Sequence, residues 1–264
     1  MCLIIFAHRA NDQYPCILSA NRDESFNRKS RDAQFWSEEI GCSNLLAGKD
    51  LQAGGTWIGV TRDGKFAAVT NLRSDSDDDQ ALLSRGSLTL EYLNGKKSPH
   101  NFAKTIAEDL SDYKGFNLLL GQRDEVAFMN SREKSILKIE PGIYAFSNGT
   151  LNSSYFKVIQ GRDKLSKLLN SCTKVTPDFL VEMMSDRTVA ADNLLPNTGL
   201  SKSRERKLSA TFVSDPDHNY GTVCSTAFVT TSAGRAQFLE QNYDKDGTPT
   251  GSHYFEYSMQ EMTD

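Results

Sequence analysis

Met1-Cys2-Leu3-Ile4-Ile5-Phe6-Ala7-His8 opens the chain, and its unbroken apolar run reads as a strand with a cysteine at the start. Removal of Met1, which the small residue behind it permits, would leave a thiol and a free α-amine on Cys2. A single residue would then supply both a nucleophile and a base with an ordinary pKa near about 8. A cysteine in an apolar strand is otherwise a small, inert hydrophobe, so its neighbours must decide. Turn chemistry in Asn11-Asp12-Gln13-Tyr14-Pro15 separates this run from a second strand, Ile17 to Asn21. The hairpin so formed brings Asn21-Arg22-Asp23 back beside Cys2. Arg22 is then placed to hold a thiolate, and Asp23 to orient the amine. The bland alternative is a polar strand end with solvated or paired charges.

A second hairpin is predicted from Thr56-Trp57-Ile58-Gly59-Val60 and Lys65-Phe66-Ala67-Ala68-Val69-Thr70 around Asp63-Gly64. Helices are expected over Ser87 to Leu93, ending at Asn94-Gly95, and after Ser98-Pro99, which supplies an N-cap and a first-turn proline before Phe102, Ile106 and Leu110 on one face. Strands follow at Phe116 to Gly121, Glu125 to Met129, Ser135 to Ile139 and Ile143 to Ser147. Two more helices are read at Tyr155 to Leu169 and Pro177 to Met184, the second capped by Thr176. A polar, irregular stretch from Asp186 to Tyr220 suits a functional loop or flap. Val223 to Thr231, Ala236 to Gln241 and His253 to Tyr257 read as closing strands. This order, two groups of strands separated and followed by helices, predicts an α+β fold with αββα layers. A single domain over residues 1–264 is the default at this length.

Formal net charge is -4 and the pI about 5.7, so there is no basic field for nucleic acid. No run approaches the roughly 20 apolar residues of a membrane span, which leaves only transient membrane contact and predicts a cytoplasmic protein. Five cysteines (Cys2, Cys16, Cys42, Cys172, Cys224) without a Cys-x-x-Cys pair signal neither a disulfide framework nor a zinc knuckle. His8, His100, His218 and His253 are dispersed, so no metal site is read. Asp75-Ser76-Asp77-Asp78-Asp79 resembles a calcium loop but has Gln80 and Gly86 where glycine and glutamate are required. Ser201-Lys202-Ser203-Arg204-Glu205-Arg206-Lys207 is a basic surface patch, with anion contact as its alternative.

Asn71 and Asn148 each follow an apparent strand and are candidate oxyanion donors, although asparagine there is also an ordinary turn residue. Gly54-Gly55-Thr56-Trp57 permits close approach of a ligand to the backbone with Trp57 as a wall, or equally a β-bulge beside a core tryptophan.

Taken in order, Met1-Cys2, Asn21-Arg22-Asp23-Glu24, Gly54-Gly55-Thr56-Trp57, Thr70-Asn71, Gly115-Phe116-Asn117-Leu118, Phe146-Ser147-Asn148 and Tyr220-Gly221-Thr222 resemble the NRDE family, also called the transport and Golgi organisation protein family. That family in turn is similar to cysteine N-terminal-nucleophile hydrolases acting on linear, non-peptide amides. The resemblance implies Cys2 as nucleophile, Arg22 and Asp23 as its support, and Asn71 and Asn148 as oxyanion or substrate contacts. Asn21, Glu24, Gly54, Gly55, Thr56, Trp57 and His8 complete the expected ligand-binding set. One departure is Val223, which stands where relatives often carry arginine after Tyr-Gly-Thr, with Arg204 or Arg206 as candidate substitutes. The resemblance also implies haem binding and trafficking, with links to lipid and acyl-coenzyme A metabolism. Haem would then be cargo, not a required cofactor, seated on Cys2, on a histidine such as His8, or by packing alone. Two functions follow: a carrier of haem or an acyl-type ligand with residues 186–220 as a lid, or a Cys2-dependent amidohydrolase.

Overall fold

The computed structural model describes residues 2–36, 44–72, 83–171 and 174–260. The Asp75 to Asp79 stretch, Cys42 and Cys172 lie outside the described residues. The chain runs β1 (Cys2–His8), β2 (Cys16–Ser25), β3 (Ser30–Phe35), β4 (Leu45–Asp50), β5 (Ile58–Thr61), β6 (Lys65–Asn71), α1 (Arg85–Asn94) and α2 (Pro99–Glu108). It continues with β7 (Phe116–Gln122), β8 (Glu125–Asn130), β9 (Ser135–Lys138), β10 (Gly142–Phe146), α3 (Phe156–Ser171) and α4 (Pro177–Met183). It closes with α5 (Lys202–Leu208), β11 (Ser214–Asp215), β12 (Tyr220–Thr230), β13 (Arg235–Tyr243) and β14 (Pro249–Ser258).

Two compact units result, residues 1–27 with 141–257, and residues 28–140 with 258–264. The first holds a sheet in the order β10-β1-β2-β12-β13-β14, with β11 paired to β12. Leu3, Ile5, Ala7, Ile17, Ala227 and Val229 point from one face into a core shared with Val158 and Leu165 of α3 and Leu180 of α4. The opposite face carries the alternate residues of the same strands, because side chains alternate along each strand. The second unit is a meander, β3-β4-β5-β6-β7-β8-β9. Its core sets Leu45, Ala67, Leu118 and Leu120 against Leu88 and Tyr92 of α1 and Phe102 and Ile106 of α2.

Most of the predicted elements are present, and the turn at Asp63-Gly64 places Gly64 at φ +86°. β3 escapes hydropathy reading because it is an edge strand with three exposed polar residues at its start, Ser30, Arg31 and Asp32. Ser98 and Thr176 precede their helices but make no side-chain capping bond. The proline that follows each one holds it extended and supplies a first residue already shaped for the helix. The polar stretch after α4 is more ordered than expected. It contains α5 and buries Ala190, Leu208, Phe212 and Val213.

Asp186 anchors that stretch. Its carboxylate takes hydrogen bonds from Lys164 of α3 and from Thr188, and its carbonyl takes one from Phe212 N at 2.8 Å. Burial pushes the carboxyl up, but the Lys164 and Thr188 bonds outweigh it and bring its pKa to about 2. A depressed carboxyl contributes stability above its unfolded pKa and loses it as pH falls through the folded one. Acid titration followed by circular dichroism should therefore show stability falling between about pH 4 and pH 2, with a shallower slope in Asp186→Asn.

The two glycines of Gly54-Gly55 differ: Gly54 sits at φ +76° with open space around it, and Gly55 is the one that is closely approached. A Cβ on Gly55 would meet the backbone of Gly86, in α1, at 2.5 Å, so the close approach is between two segments of this chain. Gly55→Ala should cost about 1–3 kcal/mol in urea unfolding by overpacking.

Candidate active site

The site is built where β1 begins. Cys2 pairs with Arg22 of β2, and Arg22 pairs in turn with Cys224 of β12. Residues paired across antiparallel strands project from the same face, so these three form one row. Cys2 is half-buried, whereas Arg22 and Cys224 are buried. Cys2 and Cys224 are separated by a whole strand, about 10 Å, which is beyond disulfide reach.

Asp23 alternates to the other face and is buried there. Thr222 Oγ1 donates to its Oδ1 at 2.8 Å, Lys157 Nζ of α3 lies 3.6 Å from Oδ2, and the Tyr220 hydroxyl donates to its carbonyl at 2.6 Å. Burial pushes the Asp23 carboxyl up, against the pull of Lys157 and Thr222. Its backbone N–H is hydrogen-bonded to the Cys2 thiol. Burial also raises the Cys2 thiol, and the Asp23 charge adds to this, while that N–H and the Arg22 guanidinium favour the thiolate. The thiol is thus protonated at neutral pH and needs a base to become a nucleophile.

Val223 has a geometric role. The pairing shifts between Thr222, opposite Asp23, and Cys224, opposite Arg22, leaving Val223 as the extra residue of a β-bulge. Without that bulge, Thr222 and Cys224 would share a face. With it, Thr222 serves Asp23 while Cys224 joins the Cys2 row. Of the substitutes for the missing arginine, Arg204 lies 3.5 Å from Asp215, and Arg206 pairs with Asp192.

Ser147 Oγ donates to the Cys2 carbonyl at 2.7 Å and sits 3.1 Å from Oδ1 of the buried Asn148, which ties the end of β10 to the start of β1. Asn21 faces the helices. Its Nδ2 donates to the carbonyls of Met184 and Thr211, both at 2.9 Å, and its Oδ1 accepts from Ser225 at 2.6 Å. Glu24 Oε1 accepts from the N–H of Ser25. His8 is buried at the far end of β1, about 20 Å from Cys2 at strand rise.

Asn71 and Gly54 to Trp57 belong to the second unit. Asn71 is exposed at the end of β6, next to a buried chain of Thr70, Asn117 and Asn130 amide and hydroxyl groups. Thr56 Oγ1 donates to Ile58 O, and Trp57 lies against Gly48, where a Cβ would meet its ring. Among the described residues, no group of three or more His, Cys, Asp or Glu side chains is arranged to hold a metal.

Sequence reading missed Lys157, Ser147 and the role of Thr222. Lys157 did leave a signal, since it falls at i-4 and i-8 from Gly161 and Leu165 on the apolar stripe of α3. A lysine there must find an internal partner.

Solved structures with this fold include the Caenorhabditis elegans ortholog of N-acylethanolamine-hydrolyzing acid amidase, at TM-score 0.54 and 12% identity over 86% of this chain and 92% of that one. Conjugated bile acid hydrolase from Clostridium perfringens matches at TM-score 0.50 and 9% identity over 100% of this chain and 99% of that one. The fold is that of the N-terminal-nucleophile hydrolases, the α+β, αββα class expected from the element order. Within that class the chain belongs to the Transport and Golgi organisation 2 family, whose model matches residues 1–245. The Transport and Golgi organization 2 homologs of Mus musculus and Homo sapiens are each 27% identical over 98% of this chain and 100% of their own length.

The Asp23 ion pair can be tested by stability. Lys157→Met would leave a buried carboxylate without its cation and should cost about 3–5 kcal/mol in chemical unfolding. Adding Asp23→Asn should recover part of that loss.

Proposed function

We propose that this chain is a Cys2-dependent hydrolase of non-peptide amide bonds. The observation that carries the reading is the convergence on Cys2 of the Arg22 side chain and the Asp23 backbone N–H, with Asp23 itself immobilised by Lys157 and Thr222. The names of the two structural neighbours, an amidase and a hydrolase of conjugated bile acids, support the same bond class.

Once Met1 is removed, the Cys2 α-amine takes the thiol proton as sulfur bonds to the amide carbonyl carbon. Arg22 stabilises the forming thiolate, and the Asn148 amide is assigned to the oxyanion. Collapse breaks the C–N bond, and the ammonium returns its proton to the leaving nitrogen. Water then attacks the thioester with the amine as base, releasing the acid and restoring the thiol. Asn71 is assigned no step.

Intact mass should show loss of Met1, and a thiol-reactive acylating probe should label Cys2. A retained Met1 or an unreactive Cys2 sinks the mechanism. Against a panel of N-acyl amides, Cys2→Ala should lower turnover about 10³-fold or more. The rate should rise with pH through the titration of the α-amine near about 8.

Haem handling, which the family resemblance implies, is the second reading. In it, ferric haem occupies a cleft at Cys2. Titration should then give a saturable Soret change that is lost in Cys2→Ala and kept in His8→Ala, given the length of β1 between the two. Absence of saturable binding would count against it.

A further inference from the structure

A cavity of 330 Å³ lies between α4 and the β13–β14 hairpin. Ser225 and Asn21 face each other across β12 and β2, and Ser225 also faces Gln241 of β13. Leu239, Gln241 and Tyr243, which alternate onto that same face, line the cavity. It is therefore on the helix-covered face, away from the Cys2 row.

Its walls are chemically divided. Phe212 and Tyr243 meet edge to face at 4.9 Å and, with Leu239, form an apolar floor. Asp178 and Glu182 project from successive turns of α4. Arg187 stacks over Phe212 at 4.3 Å, with Nη2 3.4 Å from the Gly247 carbonyl. Gly247, at φ +76°, has no Cβ to displace that guanidinium. A carboxylate pair, an exposed guanidinium stacked on Phe212 and an aromatic floor around a space of this size suit a compact zwitterion with an apolar side chain.

The same walls are bonded to the residue preceding Arg22. Tyr243 hydrogen-bonds Ser225, Ser225 donates to Asn21 Oδ1, and Asn21 Nδ2 donates to Met184 O just beyond α4. We propose that this cavity binds an amino acid with an apolar side chain, and that Asn21 transmits its occupancy to Arg22 and Cys2. Binding stands independently of the hydrolytic reading, whereas the link to Cys2 deepens it.

The test is calorimetric titration of the full chain with L-phenylalanine, phenethylamine and 3-phenylpropanoate. L-phenylalanine should saturate, with each singly charged analogue at least about tenfold weaker, the loss of one charge-assisted contact. Glu182→Gln, at an exposed position, should weaken L-phenylalanine and phenethylamine and spare 3-phenylpropanoate. Arg187→Gln should weaken L-phenylalanine and 3-phenylpropanoate and spare phenethylamine. No saturable binding, or equal binding of an analogue lacking one charge, overturns the site. In a second arm, iodoacetamide alkylation of Cys2 is timed by mass spectrometry. L-phenylalanine should change the rate by about threefold or more, a modest coupling, and Tyr243→Phe should bind it without that change. An unchanged rate with ligand bound overturns the coupling. Neither arm requires turnover, so failure here is distinguishable from failure of the hydrolase reading.

Discussion

The buried carboxylate of Asp23 is the point on which the first unit is organised. Withdrawing a carboxylate and an ammonium from water is costly, and their attraction repays it only when other hydrogen bonds complete the environment. From β12, Thr222 donates to the carboxylate and Tyr220 to the backbone carbonyl of the same residue, Lys157 provides the cation from α3, and β2 carries Asp23 itself. Three parts of the chain distant in sequence are thereby fixed around the start of β1. Such a pair is a poor source of stability compared with apolar packing, but it penalises every arrangement that separates its members.

The fold was legible wherever hydropathy alternated or ran unbroken. β1, β2 and the Asp63-Gly64 hairpin are read directly because their side chains enter a core and their turn residues fit the backbone they adopt. β3 was not, because an edge strand with polar side chains has no hydrophobic period to detect. Half of the site was equally visible: hairpin geometry alone brings Arg22 opposite Cys2. The other half comes from contacts between residues far apart in sequence. Ser147 reaches Cys2 across 145 residues and Thr222 reaches Asp23 across 199, distances over which sequence pattern carries no pairing information.

Glycines and prolines show how one signal supports two readings. Gly55 does mark a close backbone approach, but to Gly86 of the same chain, whereas Gly54 has open space around it and a φ of +76° that favours glycine. Ser98 and Thr176 do stand at helix starts, yet proline geometry does the work assigned to their side chains. In each case the local conformation followed from residue type, whereas the partner depended on the tertiary fold.

Val223 carries the argument furthest. As a position in a sequence it reads as a lost arginine and weakens the case for chemistry at Cys2. As a bulge residue it sets which side of the sheet its neighbours serve. Arg22 and Asp23 are adjacent and must project to opposite faces, so a regular β12 could support only one of them with Thr222 and Cys224. The extra residue breaks that symmetry: Thr222 binds the Asp23 carboxylate on the helix side, and Cys224 lines the Cys2 row on the other. The same alternation puts Asn21 on the helix side, one residue from Arg22, in contact with the end of α4. Period-two geometry thus separates the reactive face from the supporting face while keeping them covalently adjacent in β2. A change imposed on Asn21 from the helix side has only one peptide bond to cross before it reaches the residue that faces the thiol.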